Sequence, residues 1–316
     1  MIVNADILRI LPASIRDVLG DAILENNIEH LEEINIRVNK PLILRMSDAK
    51  GRKDLVTDLV MSERLLKEAL GYISNFSMYA YEDEVKEGFI TIKGGHRIGI
   101  TGKVVMEGND IKTIKNISSL NIRIARQVKG CANEVLKEIM SGELGNILII
   151  SPPCMGKTTL LREMIRVLSD RFKYKIGVID ERGEIAACHM GVPQNDVGQR
   201  SDVMDGCRKD KGIMMLVRSM SPDIIAVDEL GGPCDVEAVK MAGNYGGIVI
   251  STIHGNGISS VSEKRFMNDL LKDKFFKYFV VIGNKRIAKI YDRDGNCYGK
   301  DYRLFGGDTG NDIDGI

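Results

Sequence analysis

Tryptophan is absent from this 316-residue chain, and aromatic residues make up only 5% of it. A surface that binds single-stranded nucleic acid stacks bases on aromatic rings, so the shortage counts against such a platform. Net charge is missing too. Lysine plus arginine and aspartate plus glutamate both total 44, which leaves no basic footprint of the kind a nucleic-acid coat needs. The short basic stretches "RQVKG" and "CRKDKG" read as solvated surface. No apolar run approaches the roughly 20 residues that cross a bilayer, so membrane contact would come through a partner. "MIVNADILRI" lacks a basic segment followed by an apolar core, and no secretory leader is expected. The six cysteines form no C-x-x-C pair. Scattered thiols in a chain of this size imply a reducing, cytoplasmic setting, and the lone Cys188–His189 neighbours make a poor zinc site. The sequence has no internal repeat.

What is there is an ordinary globular composition, 44% hydrophobic and 28% charged, long enough for two domains with their own cores. Residues 1–125 read as an α+β unit. "LEEINIRV" and "PLILRM" alternate around an Asn39-Lys40-Pro41 turn. "SERLLKEALGYI" opens on a serine cap before helically spaced apolar residues. "FITIKGGHRIGITGKVVM" and "SSLNIRIA" are strand-like, with a turn at Gly94-Gly95. From 126 to 302 the pattern changes to short unbroken apolar runs: "ILII" (147–150), "IGVI" (176–179), "IIAV" (224–227) and "GIVI" (247–250). Runs of this kind suit strands buried on both faces of a parallel sheet, with helices between them and ligands at the strand C-terminal ends. A last hairpin should turn at Asp294-Gly295. The glycine-rich, acidic segment 303–316 is expected to be a disordered tail.

"ISPPCMGKTTLLREMIRVL" (150–168) follows the first of those runs. It resembles the phosphate loop G-x-x-x-x-G-K-[ST], with Ser151 where the first glycine stands. A residue before proline is pushed to extended angles that serine adopts without strain, so Pro152 makes that glycine less necessary. Pro152 and Pro153 carry no N–H, and the phosphate must be held further along. The expected nucleotide-binding set is Ser151, Cys154, Met155, Gly156, Lys157, Thr158 and Thr159. Lys157 would neutralise the β- and γ-phosphates, and Thr158 would offer its hydroxyl to Mg²⁺. The helix begins here and points its positive end at the anion, burying Leu160, Leu161, Met164, Ile165 and Leu168 on its other side. ATP and Mg²⁺ are the implied ligands.

The other strand ends carry acids and a histidine. "IIAVDELGG" closes on Asp228, expected to hold Mg²⁺ through a water, and Glu229, expected to orient and deprotonate the attacking water. "IGVIDERGEIA" gathers Asp180, Glu181 and Glu184 in one short loop. Three carboxylates so close call for solvent, Arg182 or a nearby cation such as Mg²⁺. His254, after "GIVISTI", could hydrogen-bond a γ-phosphate.

With these residues assembled, the chain resembles the hexameric secretion ATPases of type II and type IV systems, and most closely a sporulation branch of them. "LEEINIRVNKPLIL", "HRIGITGKVV", "SSLNIRIARQVKG", "VIDERGEIAAC", "GIMMLVRSMSPDIIAVDELGG" and "STIHGNG" carry the likeness over nearly the whole chain. The resemblance implies a small α+β domain followed by a RecA-like P-loop motor domain, assembled as a homo-hexamer. It makes Asp180, with Glu181 and Glu184, an Asp box in which Asp180 serves the metal. It makes His254 a His box, and it points to Arg123, or less directly Arg126, as an arginine reaching nucleotide in cis or in trans. It implies a cytoplasmic motor on the mother-cell side, acting on integral membrane components of a channel complex to the forespore. Departures from the family pattern are Ser151, Asp228 where many members have glycine, and Gly231-Gly232 where many have arginine. Two other readings stay open: a nucleic-acid-stimulated ATPase, and a nucleotide-binding structural ring with little turnover.

Overall fold

The computed structural model describes residues 5–26, 30–48 and 51–304. Two compact units emerge, Met1–Arg126 and Gln127–Ile316.

In the first unit, helices α1 (Ala5–Arg9) and α2 (Ala13–Asn26) precede strands β1 (His30–Arg37), β2 (Pro41–Asp48) and β3 (Gly51–Val60). Helices α3 (Glu63–Ile73) and α4 (Glu82–Lys86) follow, then β4 (Phe89–Thr91), β5 (Arg97–Glu107) and β6 (Asp110–Arg123). The antiparallel sheet runs β3-β2-β1-β6-β5-β4. The predicted turns hold: Asn39 takes φ 58°, and Gly94 and Gly95 take 88° and 75°. Ser62 caps α3 by accepting the Leu65 amide at 3.2 Å, a bond worth about 1 kcal/mol. Period-two alternation sends Ile34, Ile36, Leu44, Ile98, Ile100, Leu120 and Ile122 into one core with Leu66, Ala69 and Ile73 of α3.

The second unit runs α5 (Asn133–Met140), β7 (Ile147–Ser151), α6 (Lys157–Asp170), β8 (Ile176–Asp180), β9 (Ser201–Asp205), α7 (Lys209–Met220), β10 (Ile224–Val227) and α8 (Pro233–Asn244). It continues with β11 (Ile248–His254), α9 (Ile258–Ser262), α10 (Asn268–Lys272), β12 (Tyr278–Ile282), β13 (Ile287–Asp292) and β14 (Cys297–Arg303). Sheet order is β14-β13-β12-β7-β11-β10-β8-β9, parallel from β12 to β9 and antiparallel at the other edge. The unbroken apolar runs have a plain cause. Ile147, Ile149, Ala226 and Val178 face the core built with α6, while Leu148, Ile150, Val227 and Ile179 face the core built with α7 and α8. A strand buried on both sides has no polar face to alternate with.

Two strands of this unit carried no expectation from the sequence. β12 lies beside β7 inside the sheet, and β9 is a half-exposed edge strand without an apolar run. The last hairpin turns where expected, with Gly295 at φ 82° and its amide donating to the Asp292 carbonyl. Of the expected disordered tail, Arg303 instead ends β14 and Leu304 is buried, while 305–316 lie outside the described residues.

Candidate functional site

Parallel registration brings four strand ends into one row. In the order β7, β11, β10, β8, the sheet aligns Ser151 with His254, Ser251 with Val227, and Val227 with Ile179. The phosphate loop, His254, Asp228-Glu229 and the acidic loop therefore leave the same edge in neighbouring positions. Gly255 keeps this edge tight: a Cβ there would stand 2.7 Å from Ser260 Oγ and 3.2 Å from Ile150 Cγ2.

Ser151 is the final residue of β7, fully buried, and its hydroxyl donates to the Pro152 carbonyl at 2.6 Å. Its own carbonyl accepts the Gly255 amide at 3.1 Å. Serine thus occupies ordinary strand backbone, as the following proline demands. The left-handed turns come later, at Cys154 (φ 62°) and Gly156 (φ 97°). A left-handed cysteine is strained by about 1–2 kcal/mol, and strain of this kind collects at ligand-holding loops. Gly156 is the N-cap of the 14-residue α6 and supplies no side-chain acceptor to the first amides of that helix. Those donors and the positive end of the helix dipole suit a phosphate. Ser151→Gly should leave nucleotide affinity unchanged and lower stability by about 0.5–1 kcal/mol, since glycine costs backbone entropy in a strand. Nucleotide titration with thermal unfolding checks this. A large gain in affinity would mean the serine impairs the loop.

Three of the expected side chains meet directly. Glu229 Oε2 lies 3.5 Å from Lys157 Nζ and 3.1 Å from His254 Nε2. All three are partly covered, with side-chain exposures of 12% for Lys157, 29% for Glu229 and 33% for His254. Asp228 is 6% exposed and accepts the Thr252 hydroxyl at 3.1 Å, which fixes it at the floor of the row.

Asp180 plays another part than the metal role expected of it. It is fully buried. Its Oδ1 accepts the amides of Glu184 and Ile185 at 2.8 and 3.2 Å, and its Oδ2 those of Ile185 and Ala186 at 3.1 and 2.7 Å. Burial pushes the carboxyl above its usual range, and the amides pull it back. Both oxygens are committed to shaping the acidic loop. Glu184 is exposed, and Glu181 is half-exposed and ion-paired with Lys209. Arg123 ends β6 in the first unit, 64% exposed and 3.9 Å from Glu33, and Arg126 is exposed.

Two buried cations at this edge have no motif to announce them. Arg162 of α6 is 8% exposed and donates from Nε to the Ile185 carbonyl and from Nη2 to the Glu184 carbonyl, both at 2.6 Å. The phosphate-loop helix is thereby tied to the acidic loop. Lys209, inside the supposedly solvated "CRKDKG", is 7% exposed. Lys129 of "RQVKG", by contrast, stays 59% exposed as expected and pairs with Asp196 at 2.7 Å. Cys188 is buried, and burial beside Asp205 and Asp180 pushes its thiol up to about 12, so it packs as an apolar group. No helix among the described residues is long and apolar enough to cross a membrane.

The Sporulation stage III, protein AA family profile matches residues 3–298. Stage III sporulation protein AA of Bacillus subtilis (strain 168) is 38% identical over 299 residues, 92% of this chain and 96% of that one. Among solved structures, the ATPase DotB of Legionella pneumophila superposes with a TM-score of 0.58 at 15% identity, covering 92% of this chain and 80% of that one. The pilus retraction motor PilT, solved with bound ADP, gives a TM-score of 0.58 at 17% identity over 85% of this chain and 81% of that one. At such identities the likeness is one of fold: a RecA-like α/β domain preceded by a smaller α+β domain. The match along nearly the whole length, with the identity to the Bacillus protein, places this chain in the Sporulation stage III, protein AA family.

Proposed function

We propose that the protein is a Mg²⁺-dependent ATPase that works as a homo-hexameric motor in sporulation. It acts from the cytoplasm on the mother-cell side, energising membrane-embedded components of a channel to the forespore. The observation that carries the reading is the meeting of Lys157, Glu229 and His254 at one carboxylate oxygen, beside an uncapped helix N-terminus. The family match and the shared fold with solved secretion ATPases support the same reading.

In this assignment the amides of Met155 to Thr158 cradle phosphate oxygens, and Lys157 balances their charge. Bound Mg²⁺ supplies further neutralisation of the phosphates, with Thr158 and Asp228 as the groups that would hold it. Glu229 orients a water and takes its proton, and His254 keeps the Glu229 carboxylate turned toward the phosphate side. Arg123 or Arg126 contributes charge to nucleotide from its own subunit or the next. Work on partners requires that ATP bind one arrangement of the ring better than another.

Particle size and phosphate release, measured together at high protein concentration with ATP and Mg²⁺, test the proposal. The expected result is a ring of six subunits with turnover that depends on Mg²⁺ and is indifferent to single-stranded DNA. Strong stimulation by DNA would move the reading to a nucleic-acid motor, and a ring that binds ATP without releasing phosphate would make it a structural assembly.

A further inference from the structure

Lys209 breaks two local rules at once. It is the first residue of α7, where the helix dipole disfavours a cation, and it is 7% exposed, where an ammonium is costly. A methionine would cover the same apolar surface without either cost. The backbone forces the position. Gly212, one turn on, lets α7 press against β8: a Cβ there would meet Ile179 Cδ1 at 3.0 Å and Cys207 Sγ at 3.3 Å. The start of α7 is thus wedged beside the end of β8, where the acidic loop departs.

The ammonium of Lys209 donates to Glu181 Oε2 and lies 4.0 Å from Asp235 Oδ1. The other oxygen of Asp235 accepts the Gly231 amide at 2.8 Å. Gly231 is two residues past Glu229, and the intervening Leu230 amide donates to the Thr252 carbonyl at 2.8 Å. A continuous path of contacts therefore runs from Glu181 through Lys209 and Asp235 to the backbone that carries Glu229. We propose that Lys209 is a positioning residue that locks the acidic loop to the Glu229 loop, so that both respond to nucleotide as one piece. The inference rests on the ATPase reading above for its consequence, and on geometry alone for the tether.

The test compares the full chain with K209M, K209R, D235N and the K209M/D235N pair in steady-state ATP hydrolysis, nucleotide titration and limited trypsin digestion read at Arg182. Arg182 is exposed within the acidic loop and reports its anchoring without any need for turnover. K209M should lower kcat by about a hundredfold while KM and nucleotide affinity hold, as when a reacting group is displaced by about 1 Å. K209R should recover much of that loss because it keeps the cation. The double variant should cost no more than K209M alone, because both changes cut one path. Cleavage after Arg182 should quicken in K209M, with other sites unchanged. Wild-type kcat in K209M, or a loss that follows general unfolding with cleavage raised everywhere, would overturn the proposal. Should the wild type release no phosphate, the ATPase reading falls, and the digestion still decides the tether: selective cutting at Arg182 in K209M keeps it, and unchanged cutting ends it.

Discussion

Replacing Lys157 with alanine should weaken ATP binding by about ten- to a hundredfold, the loss expected when one charge-assisted hydrogen bond worth about 1.5–3 kcal/mol is removed. The physical case is local. Lys157 opens α6 directly after the left-handed Gly156, so its amide and ammonium both face the space before the helix end. Its side chain is only 12% exposed, which keeps water from screening the attraction. The backbone amides past the prolines survive the change and should leave a weak residual site. Titration of a fluorescent ATP analogue into wild type and Lys157→Ala makes the measurement, with thermal unfolding as the folding control. Equal affinity in both would sink the phosphate-loop assignment, because Lys157 is the lysine that opens the phosphate-loop helix and stands against Glu229.

Glu229→Gln should separate binding from turnover. The amide has the shape of the carboxylate but cannot take a proton from water. Loss of a general base of this kind lowers rate by about 10²- to 10⁴-fold while leaving the phosphate contacts in place. The variant should therefore bind ATP near wild-type affinity, release almost no phosphate, and block sporulation in cells that carry it alone. Quantifying phosphate release beside spore counts checks both halves. Normal sporulation with normal turnover would show that the carboxylate between Lys157 and His254 is structural, whatever else the cleft binds.

The loop around Lys157 was legible in the sequence because its chemistry is local: consecutive residues, a strand before them and a helix after them. Asp228, Glu229 and His254 were legible for a related reason, each standing just past an unbroken apolar run. That such ends should be neighbours follows from parallel pairing, and the register aligning Ser151 with His254 bears it out. Asp180 is a different case. Its position after a buried strand is the same as that of Asp228, yet its two oxygens are saturated by the amides of its own loop. Backbone hydrogen bonds of that sort depend on how a five-residue turn closes, which spacing does not encode.

Arg162 and Lys209 lie on the same boundary. In the sequence one is a charged position on an amphipathic helix and the other a lysine in a basic cluster, and both patterns ordinarily mean solvent. Chain order alone marks the strands that carry unbroken apolar runs or clear alternation, and it marks the family the protein joins, because periodicity and short-range chemistry are written residue by residue. Only the folded form decides which charges are buried and what they bind, because burial is set by segments far apart in the chain that pack against one another, as α7 does when Gly212 lets it close on β8.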